Sequence, residues 1–279
     1  MKKRVIIVSS TKGGVGKSTT AWQSLPAYCA LQNQSFQVFE VDDNNNTSRN
    51  FPLSEIILQD NCKTVKTDNP EIAANIVIET IASNDLIIMD GGGGNDSIAT
   101  IKIGKSLGDD VSKLWLIPFD RTEDDFEGAL QTAELINDPT NTYFVLNGFN
   151  SKTKHLEFEW FYKLGIKNYI EIPYSDLFSY AQKNDQTIFD LAQISQNMDK
   201  AQAKKIFAEQ FTQEGELDKD AFKAAFNDFL KSELAVDVVE QINQSFSTIF
   251  EEKEQEIGVN SNEEKPRAKK SEKIAKEEN

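Results

Sequence analysis

Residues 4–20 read RVIIVSSTKGGVGKSTT: an apolar run from Val5 to Val8 breaks into small polar residues and glycines, then gives way to a helix-compatible stretch from about Lys17. That order predicts a strand, a tight loop and a helix start. Gly13, Gly14 and Gly16 have no Cβ, so their backbone can take positive φ and bring N–H groups close to a ligand. The helix that follows adds free N–H groups and the positive end of its dipole, which together make a cradle for phosphate. In such a cradle Lys17 reaches the β- and γ-phosphates, and the Ser18 hydroxyl serves Mg2+.

The common glycine-loop pattern has a glycine five residues before its Gly-Lys pair, and here that position is Thr11. An extra lysine, Lys12, follows it, giving K-G-G-x-G-K-S. This arrangement resembles the deviant Walker A signature of the ParA/MinD family of ATPases. The resemblance implies an α/β fold with a doubly wound, mostly parallel sheet, ATP and Mg2+ as cofactors, and an ATP-dependent homodimer in which Lys12 contacts phosphates across the interface. The expected ATP-binding residues of the loop are Gly13, Gly14, Val15, Gly16, Lys17, Ser18 and Thr19.

Downstream, the chain repeats the strand-to-helix rhythm. Ala21 to Gln32 reads as a helix carrying Pro26, which should kink it or make one turn irregular. The strand Phe36 to Val41 runs into Asp42-Asp43-Asn44-Asn45-Asn46-Thr47-Ser48. By itself this is either a solvated loop or a site. The family's D-x-D-P-Q-x-N segment resembles it, with Asp42 at the second aspartate and Asn46 at the asparagine. The resemblance implies that Asp42 orients or activates the attacking water, a task suited to a carboxylate. Glu40, Asp43 and Asn44 depart from that pattern, which leaves the hydrolysis rate open.

Leu86-Ile87-Ile88-Met89-Asp90 is a continuous apolar run ending in an aspartate and followed by four glycines, Gly91 to Gly94. It reads as a buried parallel strand delivering Asp90 to the carboxyl edge of the sheet, where open α/β sheets bind ligands. Asp90 is expected to hold the Mg2+ shell or the Ser18 hydroxyl, and the glycines to let the loop respond to the γ-phosphate. A helix is expected over Pro70 to Ala82, with apolar Ile72, Ile76, Ile78 and Ile81. Later expectations are a strand Leu114 to Ile117 closed by Pro118, a helix Glu123 to Ile136, a strand Thr142 to Leu146, a helix Leu156 to Leu164 capped by Gly165, and a strand Tyr169 to Ile172. The strand ending at Asn147 and the one ending at Pro173 resemble the family's adenine pocket, and both residues are carried over as base contacts. The resemblance covers about residues 3 to 192.

Beyond Gln193 only helices are expected: Ala201 to Phe211, Asp220 to Leu230 and Val236 to Phe250. Apolar stripes on the last two either pack onto the domain or form a partner surface. From Glu251 the composition predicts disorder. The expected organisation is thus an ATPase domain over 1–195, a C-terminal helical extension over 196–251 and a charged tail over 252–279. Basic residues Lys265, Arg267, Lys269, Lys270, Lys273 and Lys276 are either solvated or contact DNA phosphates.

Composition narrows the partners. A net charge of −15 over 279 residues argues against bulk polyanion binding. Two separated cysteines, Cys29 and Cys62, and a single histidine, His155, fit neither a disulfide framework nor a histidine-based triad or metal cluster. Apolar runs are too short for a transmembrane helix, the N-terminus is unlike a signal peptide, and the tail lacks an apolar membrane-binding face. A cytosolic location is therefore expected, on the bacterial nucleoid where DNA is bound. The functional expectation is a ParA-like ATPase whose ATP-driven dimer positions DNA, above all a plasmid, or another cargo through an adaptor such as a centromere-binding protein. An ATP-binding regulatory or scaffolding protein of conjugation or polar localisation, with little hydrolysis, is the alternative.

Overall fold

The computed structural model describes residues 4–41, 47–65, 69–81, 86–150, 152–196, 198–213 and 216–263. Asp42, Asp43, Asn44 and Asn46, and the basic cluster from Lys265 to Lys276, lie outside them, as does the side chain of His155. The chain divides into two compact units, Met1–Phe246 and Ser247–Asn279.

The first unit is built on one sheet of seven strands: β1 (Arg4–Val8), β2 (Phe36–Val41), β3 (Cys62–Thr64), β4 (Leu86–Gly91), β5 (Ser112–Phe119), β6 (Thr142–Phe149) and β7 (Tyr169–Pro173). Their order is β3-β2-β4-β1-β5-β6-β7, and every pairing is parallel. The continuous apolar runs in β1, β4, β5 and β6 fit this, since a strand covered on both faces has no water-facing side to mark with polar residues; β2 and β7 carry Gln37, Glu40 and Glu171 among their apolar residues. The chain crosses from β1 outward to one side and then, from β4, to the other. This doubly wound path opens a crevice at the carboxyl ends of β1, β2 and β4.

The two faces are separated by strand alternation. Val5, Ile7, Phe39, Ile87, Met89, Trp115, Ile117 and Phe119 belong to the core beneath α2 (Pro70–Ile81), α3 (Asn95–Ser106), α4 (Glu123–Ile136) and α6 (Glu159–Lys163). Ile6, Ile88, Leu116 and Ile172, also buried, alternate with them toward the opposite face. There α1 (Leu25–Leu31) meets the long C-terminal helix α10 (Lys219–Glu263), with Tyr28 packed on Phe246 at 5.7 Å and Gln32 donating to Asn243.

Several elements differ from the sequence expectations for identifiable reasons. The first helix is preceded by a π-helical turn, Thr19–Ser24, in which Leu25 N–H donates to the Thr20 carbonyl. Pro26 has no N–H to bond the Trp22 carbonyl four residues back and its ring would press on it, so the wider turn resolves the conflict. In α2 the buried side is Ala73, Ala74, Val77 and Ile81, whereas Ile72 and Ile76 are exposed. Small alanines take the inner side because α2 and α3 pack closely, so side-chain size overrode hydropathy. Strand β5 continues through Pro118 to Phe119; β1 pairs with β5 only as far as Leu116, so the missing proline N–H costs no ladder bond on that side.

The helix expected over Leu156 to Leu164 is two short ones, α5 (Lys154–Glu157) and α6, and Gly165 closes the second at φ +70°. The helix α3 directly after the glycine run, and a small hairpin pairing Thr212–Gln213 with Glu216–Leu217, were not expected. Two short helices, α7 (Leu177–Lys183) and α8 (Ile188–Gln193), lead to α9 (Lys200–Gln210). The two expected C-terminal helices are one, α10, and helix rather than disorder continues past Glu251 to Glu263. Within the first unit α10 buries Phe229, Ala235, Val238, Val239, Ile242 and Phe246, and it is tied down by Ser232 Oγ to the Ala192 carbonyl and Ser245 Oγ to the Glu171 carbonyl.

Candidate functional site

The glycine loop turns between β1 and the π-helical turn. Gly14 and Gly16 sit at φ +76° and +93°, conformations that side chains oppose, and a Cβ on Gly16 would overlap the Asn147 carboxamide. Asn147 is thereby placed against the loop, at the irregularity in β6 between Asn147 and Phe149 that follows its pairing with Ile172. Pro173 is buried at the end of β7, in register with Phe149. A cavity of about 330 Å³ opens beside the loop, lined by Gly13 to Ser18 without Val15, by Thr19 and Thr47, and by Asp90, Gly92 and Gly93. Val15 is buried, so it offers the site backbone rather than side chain.

Lys17 is largely buried and donates to the Lys12 carbonyl at 2.7 Å. Burial lowers its pKa, and the neighbouring Asp90 charge works against that shift. Ser18 Oγ donates to Asp90 Oδ2 at 3.3 Å, bringing the two expected metal residues together across 72 positions of sequence. The same Oδ2 accepts the Trp22 indole N–H at 2.6 Å. Asp90 Oδ1 is buried and has no hydrogen-bond partner among the described residues. Burial pushes the Asp90 carboxyl up to about 6; Glu40, its register partner on β2, adds to the rise, while Trp22, Lys17 and Ser18 oppose it.

A buried carboxylate with one oxygen unsatisfied suits a hydrated divalent cation, and the glycine loop with its buried lysine suits the phosphates that cation accompanies. If Mg2+ and ATP are bound here, Ser18 and Asp90 hold the metal side and residues 13–19 the phosphate side. The metal would supply charge neutralisation. Among the described residues no group of three or more His, Cys, Asp or Glu side chains could ligate a metal by itself. Both cysteines are free, and burial raises each thiol to about 12, assisted at Cys62 by the Glu40 charge.

Lys12 is outside the cavity lining. Its side chain, 47% exposed, pairs with Asp125 at 3.3 Å on the first turn of α4. Asp125 is held there by Thr122, which accepts its backbone N–H and donates to Oδ2 at 2.6 Å. Thr11, the residue in place of the usual glycine, bonds Thr132 and the Gly128 carbonyl on the same helix. The first half of the loop is thus docked on α4. The other flank is held by Ser97 of α3, whose hydroxyl lies 2.6 Å from the Ser10 carbonyl and 2.5 Å from that of Gly92. Sequence reading missed Trp22, Ser97 and Asp125; Thr47 falls in the segment after β2 that the sequence leaves open between loop and site. Only Trp22 left a signal, a large aromatic one helical turn before Pro26.

A glycine loop between a buried parallel strand and a helix, with a buried lysine inside it and a carboxylate from the adjacent strand, defines a P-loop nucleotide-binding α/β protein. The family model of the CobQ/CobB/MinD/ParA nucleotide binding domain matches residues 6–188, and the chain belongs to that family. No curated protein matches the chain in sequence. Among solved structures, the MinC:MinD cell division protein complex of Aquifex aeolicus is 14% identical and aligns over 67% of this chain and 88% of that one, with a TM-score of 0.52. The MinD cell division protein of Aquifex aeolicus is 17% identical over 66% and 88%, with a TM-score of 0.50. A putative plasmid partition protein from Borrelia burgdorferi B31 bound to AMPPNP is 15% identical over 84% and 99%, with a TM-score of 0.47. At these identities the likeness to the two MinD structures is one of fold. No described helix is long and apolar enough to cross a membrane.

Proposed function

We propose that this protein is a Mg2+-dependent ATPase of the ParA/MinD type, which dimerises on ATP and uses hydrolysis to reset a positioning cycle. The observation that carries the nucleotide reading is the convergence of Lys17, Ser18 and a half-satisfied, buried Asp90 on one cavity. Dimerisation is supported by Lys12: Lys17 already supplies the lysine of its own cavity, while Lys12 lies outside it, half-exposed and paired with Asp125. In this reading Asp42 orients the attacking water, and Asn147 and Pro173 bound the base. The catalytic domain occupies about residues 1–195, close to the matched family span, and 196–251 is a helical extension of it. The cargo is DNA, reached through an adaptor protein.

Light scattering with and without ATP tests the cycle. The wild type should double in mass with ATP, Lys12→Ala should stay monomeric, and Asp42→Ala should form a dimer that outlives the wild-type one. One unchanged mass in all three proteins sinks the proposal. ATP-dependent dimers with phosphate release stimulated by neither DNA nor any partner would point instead to the regulatory or scaffolding reading.

A further inference from the structure

We propose that Trp22 is a positioning residue for the metal side of this site, acting through Asp90; the proposal rests on the reading of the cavity as a Mg2+-nucleotide site. Trp22 is 1% exposed, and its ring lies parallel to Phe51, with centroids 6.4 Å apart and planes 16° from each other. That packing fixes the indole plane. The N–H at its edge meets Asp90 Oδ2 at 2.6 Å, closer than Ser18 does at 3.3 Å.

A carboxylate at the end of a strand turns freely about χ2 unless something holds it. Here two donors converge on Oδ2, and the stiffer one belongs to a side chain locked in the core. The consequence is that Oδ1 is the oxygen left with all of its acceptor capacity. Groups standing behind a metal-binding side chain commonly set its orientation, and losing one costs about 10- to 100-fold in metal affinity.

The local chain explains how a tryptophan reaches this place. Pro26 denies the Trp22 carbonyl its ordinary helical partner, and the turn from Thr19 to Ser24 widens into a π turn. Single π turns inside helices occur frequently at functional sites because they re-aim side chains. Trp22 therefore belongs to the site by geometry, although it lies among residues that read as a helix core.

The test uses the full chain labelled with 15N at its three indoles. Trp115→Phe and Trp160→Phe assign the signals by elimination, and Trp115 serves as the internal contrast because its buried indole nitrogen has no acceptor among the described residues. The Trp22 N–H signal should lie downfield of that of Trp115. It should move when Mg2+ with ADP is added, and stay still when ADP is added in EDTA. Trp22→Phe keeps a ring on Phe51 but removes the donor. This variant should bind ADP in EDTA like the wild type while its half-saturating Mg2+ concentration rises about tenfold. A role in packing alone would leave the Mg2+ dependence unchanged, and that result overturns the proposal. Should Trp22→Phe not fold, the wild-type spectrum decides alone: an indole signal indifferent to Mg2+ overturns it. Absence of any Mg2+-dependent ADP binding by the wild type overturns the nucleotide reading together with this one. Binding with an unmoved Trp22 signal overturns only the positioning role.

Discussion

The two faces of the sheet are made of different material. Beneath α4 and α6, Phe119, Phe126, Phe144, Phe158, Trp160 and Phe161 touch one another edge-to-face or tilted, with centroids 5.0 to 6.3 Å apart. On the opposite face, near the carboxyl ends of β2 and β4, the buried groups include Glu40, Asp90, Trp22 and Lys17, joined by hydrogen bonds to one another or to Thr47, Ser18 and Lys12. Aromatic rings packed edge-to-face or tilted against several others at once are held in place by all of them. Buried polar groups can exchange partners, at the cost of leaving atoms such as Asp90 Oδ1 unsatisfied until something arrives. Rigidity is concentrated on one face and the capacity to respond on the other.

Substitutions can break that contrast. Phe161→Ala should have the largest effect, a loss of about 3 to 5 kcal/mol in urea unfolding, because its fully buried ring contacts most of the cluster. Nucleotide affinity of the folded fraction should be unchanged; a matching loss of affinity would mean that the faces are not independent. Asp90→Asn should act in the opposite sense. A carboxyl raised to about 6 when folded makes its full favourable contribution below its unfolded pKa and loses it progressively as pH rises through 6. Without ligand, the variant should therefore be more stable than wild type above pH 6, by about 2 to 3 kcal/mol, with the gap closing toward pH 4. Its Mg2+-dependent nucleotide binding should be lost. A gap that persists at pH 4 would show that charge burial is not the cause.

The smallest effect belongs to Asp125→Ala. The Lys12–Asp125 pair is partly exposed, so releasing Lys12 should change stability by at most about 1 kcal/mol. The ATP-dependent dimer should tighten up to about fivefold, measured by sedimentation. Weaker dimerisation would indicate that Asp125 itself is needed at the interface.

What could be read in advance follows the same division. Strands β1, β4 and β6 were legible because burial on both faces leaves uninterrupted apolar runs, and β2 and β7, interrupted by Gln37, Glu40 and Glu171, because aromatic and β-branched residues surround those positions. The glycine loop was legible because its conformations restrict residue type. The inner side of α2 was not, since close packing favoured Ala73 and Ala74 over the more hydrophobic Ile72 and Ile76. Helix α3 follows a glycine run that reads as loop, and α10 was split in two by a polar stretch that a long helix carries without difficulty. Trp22, Ser97 and Asp125 reach the site through long-range contacts, which leave no periodicity in the chain.

The Ser97 hydroxyl has one proton for two carbonyls, that of Ser10 before the glycine loop and that of Gly92 in the glycine run. It works like a single bolt through two plates. Because one proton is shared, a displacement of the Gly91 to Gly94 segment away from α3 would leave more of that hydrogen bond to the Ser10 carbonyl, and so tie the base of the phosphate loop more firmly to α3.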